Sequence, residues 1–105
     1  ALSYGGRQEL VDAAKKAMRD ALDGNISPEE LTTESFAQYL YRPELGDPEL
    51  LIRTSGEMRV SNFLLWQIAY TEFVYLPVLW PDFERVHFLE ALGEFQRRDR
   101  RFGKV

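Results

Sequence analysis

Apolar residues at Leu10, Ala14, Ala17, Met18, Ala21 and Leu22 recur close to the helical period, which predicts an amphipathic helix over Arg7–Leu22 that Gly24 terminates. Ser27-Pro28-Glu29-Glu30 then offers a capping residue, a proline at the first helical position and a glutamate at the third. A second, short helix is expected there, ending near Leu40 with Phe36, Tyr39 and Leu40 on one side. Pro43, Gly46 and Pro48 mark a loop, after which Glu49–Arg53 (ELLIR) reads as a short buried strand that Thr54-Ser55-Gly56 breaks. Ser61 or Asn62 could cap a helix through about Ala69, and Phe73–Leu79 is β-rich, with Pro77 weakening it as a central strand. Pro81-Asp82 opens a last helix whose Val86, Leu89, Leu92 and Phe95 form an apolar stripe. With Ala1–Gly6 read as the end of a strand and a turn, the order is strand, helix, helix, strand, helix, strand, helix. That order predicts an α/β fold with mainly parallel strands and one domain.

The chain has 105 residues, of which 45% are hydrophobic and 29% charged, the composition of one globular core. It has no cysteine, which excludes disulfides and thiolate sites and suits a reducing compartment. No apolar run exceeds that at Phe63–Trp66, far short of the ~18 residues needed to span a bilayer, so no membrane crossing is expected. The net charge of −4 is unevenly spread: residues 97–105 carry +4 and the remainder −8. An acidic body argues against nucleic-acid binding, which needs a basic face.

Ile52–Asn62 holds what an anion site requires. The strand delivers Arg53 at its carboxyl end, where ligands of open α/β sheets bind. Gly56 permits close backbone approach, Arg59 adds a second guanidinium, and Ser61 offers a hydroxyl beside an expected helix N-terminus. These features suit a phosphate or diphosphate, although arginines beside a helix start are as often solvated surface. Other polar residues have plainer readings: His87 as surface or partial core, Glu9 and Asp12 as a solvated face, and Ser55 as no nucleophile because no base flanks it. Trp66 and Trp80, with Phe63, Leu64 and Leu65, read as core or dimer interface.

The run from Leu51 to Phe83, LIRTSGEMRVSNFLLWQIAYTEFVYLPVLWPDF, closely resembles the C-terminal signature of the cis-prenyltransferases, the undecaprenyl diphosphate synthase family. Tyr4-Gly5-Gly6-Arg7 matches that family's YGGR segment, and Arg101-Phe102-Gly103, preceded by Arg100, its R-x-G ending. The resemblance covers almost the whole chain and implies a Mg²⁺-dependent transferase that condenses isopentenyl diphosphate with an allylic diphosphate such as farnesyl diphosphate. Each addition makes a new cis double bond. The product class, cis-polyprenyl diphosphates, includes cell-wall lipid carriers. By the same resemblance, Arg53 and the Arg-x-Ser formed by Arg59, Val60 and Ser61 hold the diphosphate of isopentenyl diphosphate, and Glu72 assists the metal. Arg101 and Gly103 reach the diphosphate across a homodimer interface. The implied setting is cytoplasmic, with room for a peripheral membrane contact through the lipid product. Met58 stands where some bacterial members carry a histidine metal contact, and Ser3 where an asparagine usually precedes YGGR.

The family's N-terminal half, with its essential metal-binding aspartate and much of the chain-length tunnel, has no counterpart among these residues. Residues 1–105 are therefore expected to be the C-terminal portion of one domain, with no catalytic residue of their own. Charge-assisted bonds from Arg53 and Arg59 would supply roughly 3 to 6 kcal/mol, below the ~8 of a micromolar complex, so the chain alone is expected to be inactive. Product length stays open. Glu72 adds a geometric constraint, since a straight helix from Ser61 would carry it about 16 Å away. Either that helix breaks near Ala69 and the chain folds back, or the metal site is partly assembled by another chain; the plainer reading pairs Glu72 with a structural arginine. The competing functions are a non-catalytic partner subunit of a heteromeric cis-prenyltransferase and, more remotely, a phosphate- or nucleic-acid-binding module using the basic tail. Retention of Arg53, Arg59 and Ser61 together favours the catalytic kind.

Overall fold

A computed structural model describes residues 5–98. They form two compact units, one from the chain up to Gly46 together with Asn62–Trp66, the other from Asp47–Ser61 together with Gln67 onward. The expected strand at the amino end falls largely on residues 1–4, outside the described residues.

The first unit is built on helix α1 (Gly6–Leu22), close to the predicted span. Its buried positions are Gly6, Glu9, Ala13 and Ala17, a narrow stripe of mostly small residues at helical spacing. Met18 and Leu22, expected on the apolar face, are exposed. The expected second helix is divided. Pro28–Glu30 makes a single 3₁₀ turn, with the Glu30 carboxylate accepting from the Ser27 N–H at 2.8 Å. Leu31 is then extended and Thr32 starts afresh, its hydroxyl accepting from Ser35 N–H at 3.1 Å to cap helix α2 (Thr33–Ala37). A second capping box, its cap Thr32 lying beyond Ser27 and Glu30, proved the stronger signal.

Beyond α2, two tyrosines fasten the chain to α1. The Tyr39 hydroxyl donates to Asp20 at 2.7 Å and the Tyr41 hydroxyl to Asp12 at 2.5 Å. The Tyr41 N–H donates to Glu9 at 3.1 Å, and Leu40 is buried between these contacts in sequence. Glu9 is thus a buried, hydrogen-bonded carboxylate and not the solvated residue expected. Asp12 is engaged as well: the Tyr41 hydroxyl, and after it Gln8, hold its carboxyl below the usual aspartate range. Phe36 and Trp66 pack at 5.0 Å between ring centroids.

In the second unit, strands β1 (Leu50–Arg53) and β2 (Glu72–Tyr75) pair in parallel, Leu50 opposite Glu72 and Arg53 opposite Tyr75. The α/β class with a parallel sheet is as expected. β2 begins one residue before the expected strand and stops two residues short of Pro77, which cannot donate to a ladder. Val74, Leu76 and Ala91 form the buried core, with Leu50, Ile52, Val78 and Phe83 packed around them.

Two helical expectations are corrected here. Residues 61–69 form turns and no helix, because Ser61, Asn62 and Leu64 all adopt positive φ, which ends any α-helical run. The last helix, α3 (Arg85–Gln96), starts later than Pro81-Asp82, which lie instead in a 3₁₀ turn over Trp80–Asp82. On α3 the small residue Ala91 is buried against the core, while Val86 and Leu89 are 61% and 52% exposed. Nothing described is a helix long and apolar enough to cross a membrane.

Candidate functional site

At the carboxyl end of β1 the ladder extends into a tight turn. Leu76 N–H donates to Arg53 carbonyl at 2.9 Å, Ser55 N–H to Val78 carbonyl at 2.8 Å, and Gly56 N–H to Leu76 carbonyl at 3.2 Å. Glu57 N–H closes the turn on the Thr54 carbonyl at 3.3 Å, with φ of 63° at Ser55 and 67° at Gly56. Two successive positive φ values are those of a type I′ turn, where glycine carries no steric cost. This turn changes the expected role of Gly56. Its N–H, and those of Ser55 and Glu57, are spent on internal bonds and are not available to cradle an anion.

Arg53 is half-buried, and its Nε is enclosed with no hydrogen-bond partner. An enclosed guanidinium N–H left unpaired costs on the order of 1–3 kcal/mol or more, a deficit that an anionic ligand would remove. Arg59 is 80% exposed and meets Glu57 at 3.5 Å, an ion pair of little strength in water. Its guanidinium is therefore free to turn toward another anion. Val60 is half-buried and Ser61 exposed in a left-handed conformation. With no helix following it, Ser61 does not sit beside free helix N–H groups, contrary to the expectation.

Glu72 lies at the other end of the ladder, opposite Leu50, which places it about 10 Å from Arg53 along the strands. Because Glu72 begins a strand after a folded turn, the straight-helix separation from Ser61 does not apply. One Glu72 oxygen accepts from Arg98 at 3.3 Å, with the two side chains 25% and 30% exposed. Arg98 also donates to the Phe73 carbonyl and meets Glu94 at 3.5 Å. Glu94 in turn is held below the usual carboxylate range, first by its hydrogen bond from Arg97 at 2.8 Å and then by Arg98. The plainer reading of Glu72, a carboxylate paired with a structural arginine, is the one the side chains adopt.

Among the described residues no group of three His, Cys, Asp or Glu side chains could hold a metal ion. Glu72 with an arginine on one oxygen does not fit a magnesium centre by itself. Arg101 and Gly103 lie outside the described residues. His87 has a local role: its Nδ1 accepts from the Glu84 N–H at 2.9 Å at the start of α3, and its ring packs on Phe83 at 5.8 Å. Met58 is exposed. Trp80 is exposed and stacks on Phe83 at 5.5 Å. The pairing of Arg98 carried a faint sequence signal, a basic residue one turn beyond Glu94 at the close of an amphipathic helix.

A family profile described as "Putative undecaprenyl diphosphate synthase" matches residues 1–103. The chain belongs to this prenyltransferase family. It is 57% identical over 105 residues to an isoprenyl transferase of Bacillus subtilis, covering all of this chain and 40% of that protein. It is 52% identical over 104 residues to a geranylgeranyl-diphosphate-specific tritrans,polycis-undecaprenyl-diphosphate synthase of Thermoplasma acidophilum, again covering 40% of the relative. Among solved structures, lavandulyl diphosphate synthase from Lavandula x intermedia, in complex with dimethylallyl diphosphate, matches with a TM-score of 0.89 and 40% identity. That match covers 96% of this chain and 44% of the other. A probable undecaprenyl diphosphate synthase from Campylobacter jejuni matches with a TM-score of 0.79 and 36% identity over 99% of this chain and 46% of that one. The chain thus spans about 40% of the length of the curated relatives it matches.

Proposed function

We propose that this chain is the isopentenyl diphosphate-binding portion of a cis-prenyltransferase, an enzyme that condenses isopentenyl diphosphate with an allylic diphosphate into a cis-polyprenyl diphosphate. The observation that carries this reading is the enclosed, unpartnered Nε of Arg53 at the carboxyl end of β1. A diphosphate oxygen there would receive a charge-assisted bond that no protein group supplies. Arg59 would add a second guanidinium, Ser61 a hydroxyl and Val60 its main chain, with Arg101 and Gly103 completing the anion's surroundings. These residues bind and orient a diphosphate; none of them takes up the proton lost as the new double bond forms.

Mg²⁺ belongs to this proposal as the ion of the whole enzyme, screening diphosphate charge. Its ligands would come mainly from outside these residues, Glu72 contributing at most one carboxylate. Homodimer formation belongs to it too, supported by the exposed apolar side chains Val86 and Leu89 on α3. So do a cytoplasmic setting and a peripheral contact of the lipid product with the membrane.

The test joins this chain to the remaining N-terminal length of the Bacillus subtilis relative and assays isopentenyl transfer to farnesyl diphosphate with Mg²⁺. The chimaera is expected to make polyprenyl diphosphate, the isolated chain none, and Arg53→Ala in the chimaera to raise the KM for isopentenyl diphosphate at least tenfold. An unchanged KM would remove Arg53 from the diphosphate site, and turnover by the isolated chain would overturn its inactivity.

A further inference from the structure

Helix α1 has two apolar sides, and only one of them is buried. At about 100° per residue, the buried Gly6, Glu9, Ala13 and Ala17 lie along one side. Val11, Met18 and Leu22 fall within about 40° of one another on the opposite side, where they are 48%, 59% and 87% exposed. Three cations share that outer side: Arg7, Lys15 and Arg19 are all exposed and lie within about 80° of the centre of the stripe.

The carboxylates of α1 are sorted the other way. Glu9 is buried and accepts from the Tyr41 N–H, Asp12 accepts from the Tyr41 hydroxyl, and Asp20 from the Tyr39 hydroxyl. These bonds hold the acids toward residues 39–41 and away from the outer stripe. Lys16 lies over the Tyr41 ring on that same side, 5.9 Å from its centroid, and the exposed Asp23 comes only after the last turn. A chain of net charge −4 therefore carries a helix whose exposed charged side chains are all cationic.

We propose that the outer face of α1 is a docking surface for an anionic lipid bilayer. Large apolar side chains interleaved with Lys and Arg are what a helix lying in the plane of a membrane needs. The apolar stripe enters the acyl boundary while the long basic side chains reach headgroup phosphates. Other occupants fit this face less well. A second copy related by a two-fold axis would bring the same cations together, and three side chains bury far less than the ~800 Å² per partner of a stable complex. A nucleic acid would use the cations but gain nothing from Val11, Met18 and Leu22. The inference goes beyond the diphosphate reading and does not rest on it: it gives the peripheral membrane contact a definite surface, made of residues outside Arg53 and Arg59–Ser61.

The experiment measures co-sedimentation of the 105-residue chain with phosphatidylcholine vesicles, with and without phosphatidylglycerol, at low and high salt. Circular dichroism checks that each variant is folded. The wild type is expected to bind the anionic vesicles at least tenfold more tightly than the neutral ones, and less tightly as salt rises. Each Lys or Arg near an anionic surface is worth about fivefold in partitioning, so Lys15→Gln/Arg19→Gln should weaken binding roughly 25-fold. Met18→Ser/Leu22→Ser leaves every charge in place and should weaken it at least tenfold. Val86→Ser/Leu89→Ser removes exposed apolar side chains from α3 instead and should change nothing. Because the chain has no cysteine, Leu22→Cys takes a single polarity-sensitive fluorophore, whose emission should shift to the blue on anionic vesicles only. Should the serine variant fail to fold, the charge variant and the label at position 22 still decide. A folded wild type that does not bind anionic vesicles, or binding that either α1 double variant leaves undiminished, overturns the proposal. So does a dimer in sedimentation equilibrium that Met18→Ser/Leu22→Ser dissociates, which would assign the face to a second copy.

Discussion

Arg53 and Arg98 are both half-buried arginines of the same unit, yet their surroundings are opposite. Arg98 is surrounded by acceptors, the Glu72 carboxylate, the Phe73 carbonyl and the Glu94 carboxylate, and joins the end of α3 to β2. Arg53 stands at the carboxyl end of the neighbouring strand with its Nε enclosed and unpaired. A folded chain that satisfies one guanidinium so fully and leaves another wanting has separated a structural cation from one suited to a ligand. The same contrast bears on Glu72, whose carboxylate is committed to Arg98 and lies at the far end of the ladder from Arg53.

Substitution should separate the two most sharply at Arg53. Arg53→Ala is expected to weaken inorganic diphosphate binding by about 10- to 100-fold, the loss of a charge-assisted contact, with melting temperature unchanged or raised. A drop in thermal stability without a change in affinity would place Arg53 with the structural arginines. Arg98→Ala should do the reverse, destabilising the chain by about 1–2 kcal/mol after allowance for its partial exposure, with affinity held within about twofold. Thermal melts would show this as a fall of about 5 °C or more.

Arg59→Ala is expected to be smaller on both counts. Its ion pair with Glu57 is exposed, so stability should stay within about 0.5 kcal/mol while affinity for diphosphate falls about three- to tenfold.

The first unit supplies the least effect and a control. Asp12 is held below its ordinary value in the folded chain by Tyr41 and Gln8, so its contribution is present above the unfolded aspartate pKa and is lost as pH falls through the lower folded value. Tyr41→Phe should flatten that acid-side loss in melts recorded below about pH 4, with no change at neutral pH in diphosphate affinity. A Tyr41→Phe chain with the wild-type acid profile would dissociate the Asp12 shift from this hydrogen bond.

Much of this was legible before any coordinates. The period of α1, the ELLIR strand and the parallel α/β arrangement follow from local patterns that the packing reinforces. Where the reading failed, a distant contact outweighed a local one. Ser61 and Asn62 look like a helix start because their side chains can cap. Asn62 does cap a helix, but that helix is α1 and not one of its own. The stripe Val86, Leu89, Leu92 and Phe95 has the right spacing for a buried face, yet it is the small residue Ala91 that is fully buried with Val74 and Leu76, while Val86 and Leu89 are exposed. Periodicity locates an apolar face without saying which part of it the neighbouring element will cover. Of the site, Arg53, Arg59 and Ser61 could be named from sequence. The enclosed, unpartnered Nε of Arg53 and the commitment of Glu72 to Arg98 could not, because both depend on groups far along the chain.

The central claim, that Arg53 awaits a diphosphate and Arg98 does not, is tested most directly by the side-chain Nε–H signals of the two arginines in ¹⁵N-resolved NMR as inorganic diphosphate is added to the chain. The account expects the Arg53 signal to shift downfield and its exchange with water to slow, while the Arg98 signal stays in place. A shift at Arg98 with Arg53 unmoved would contradict it.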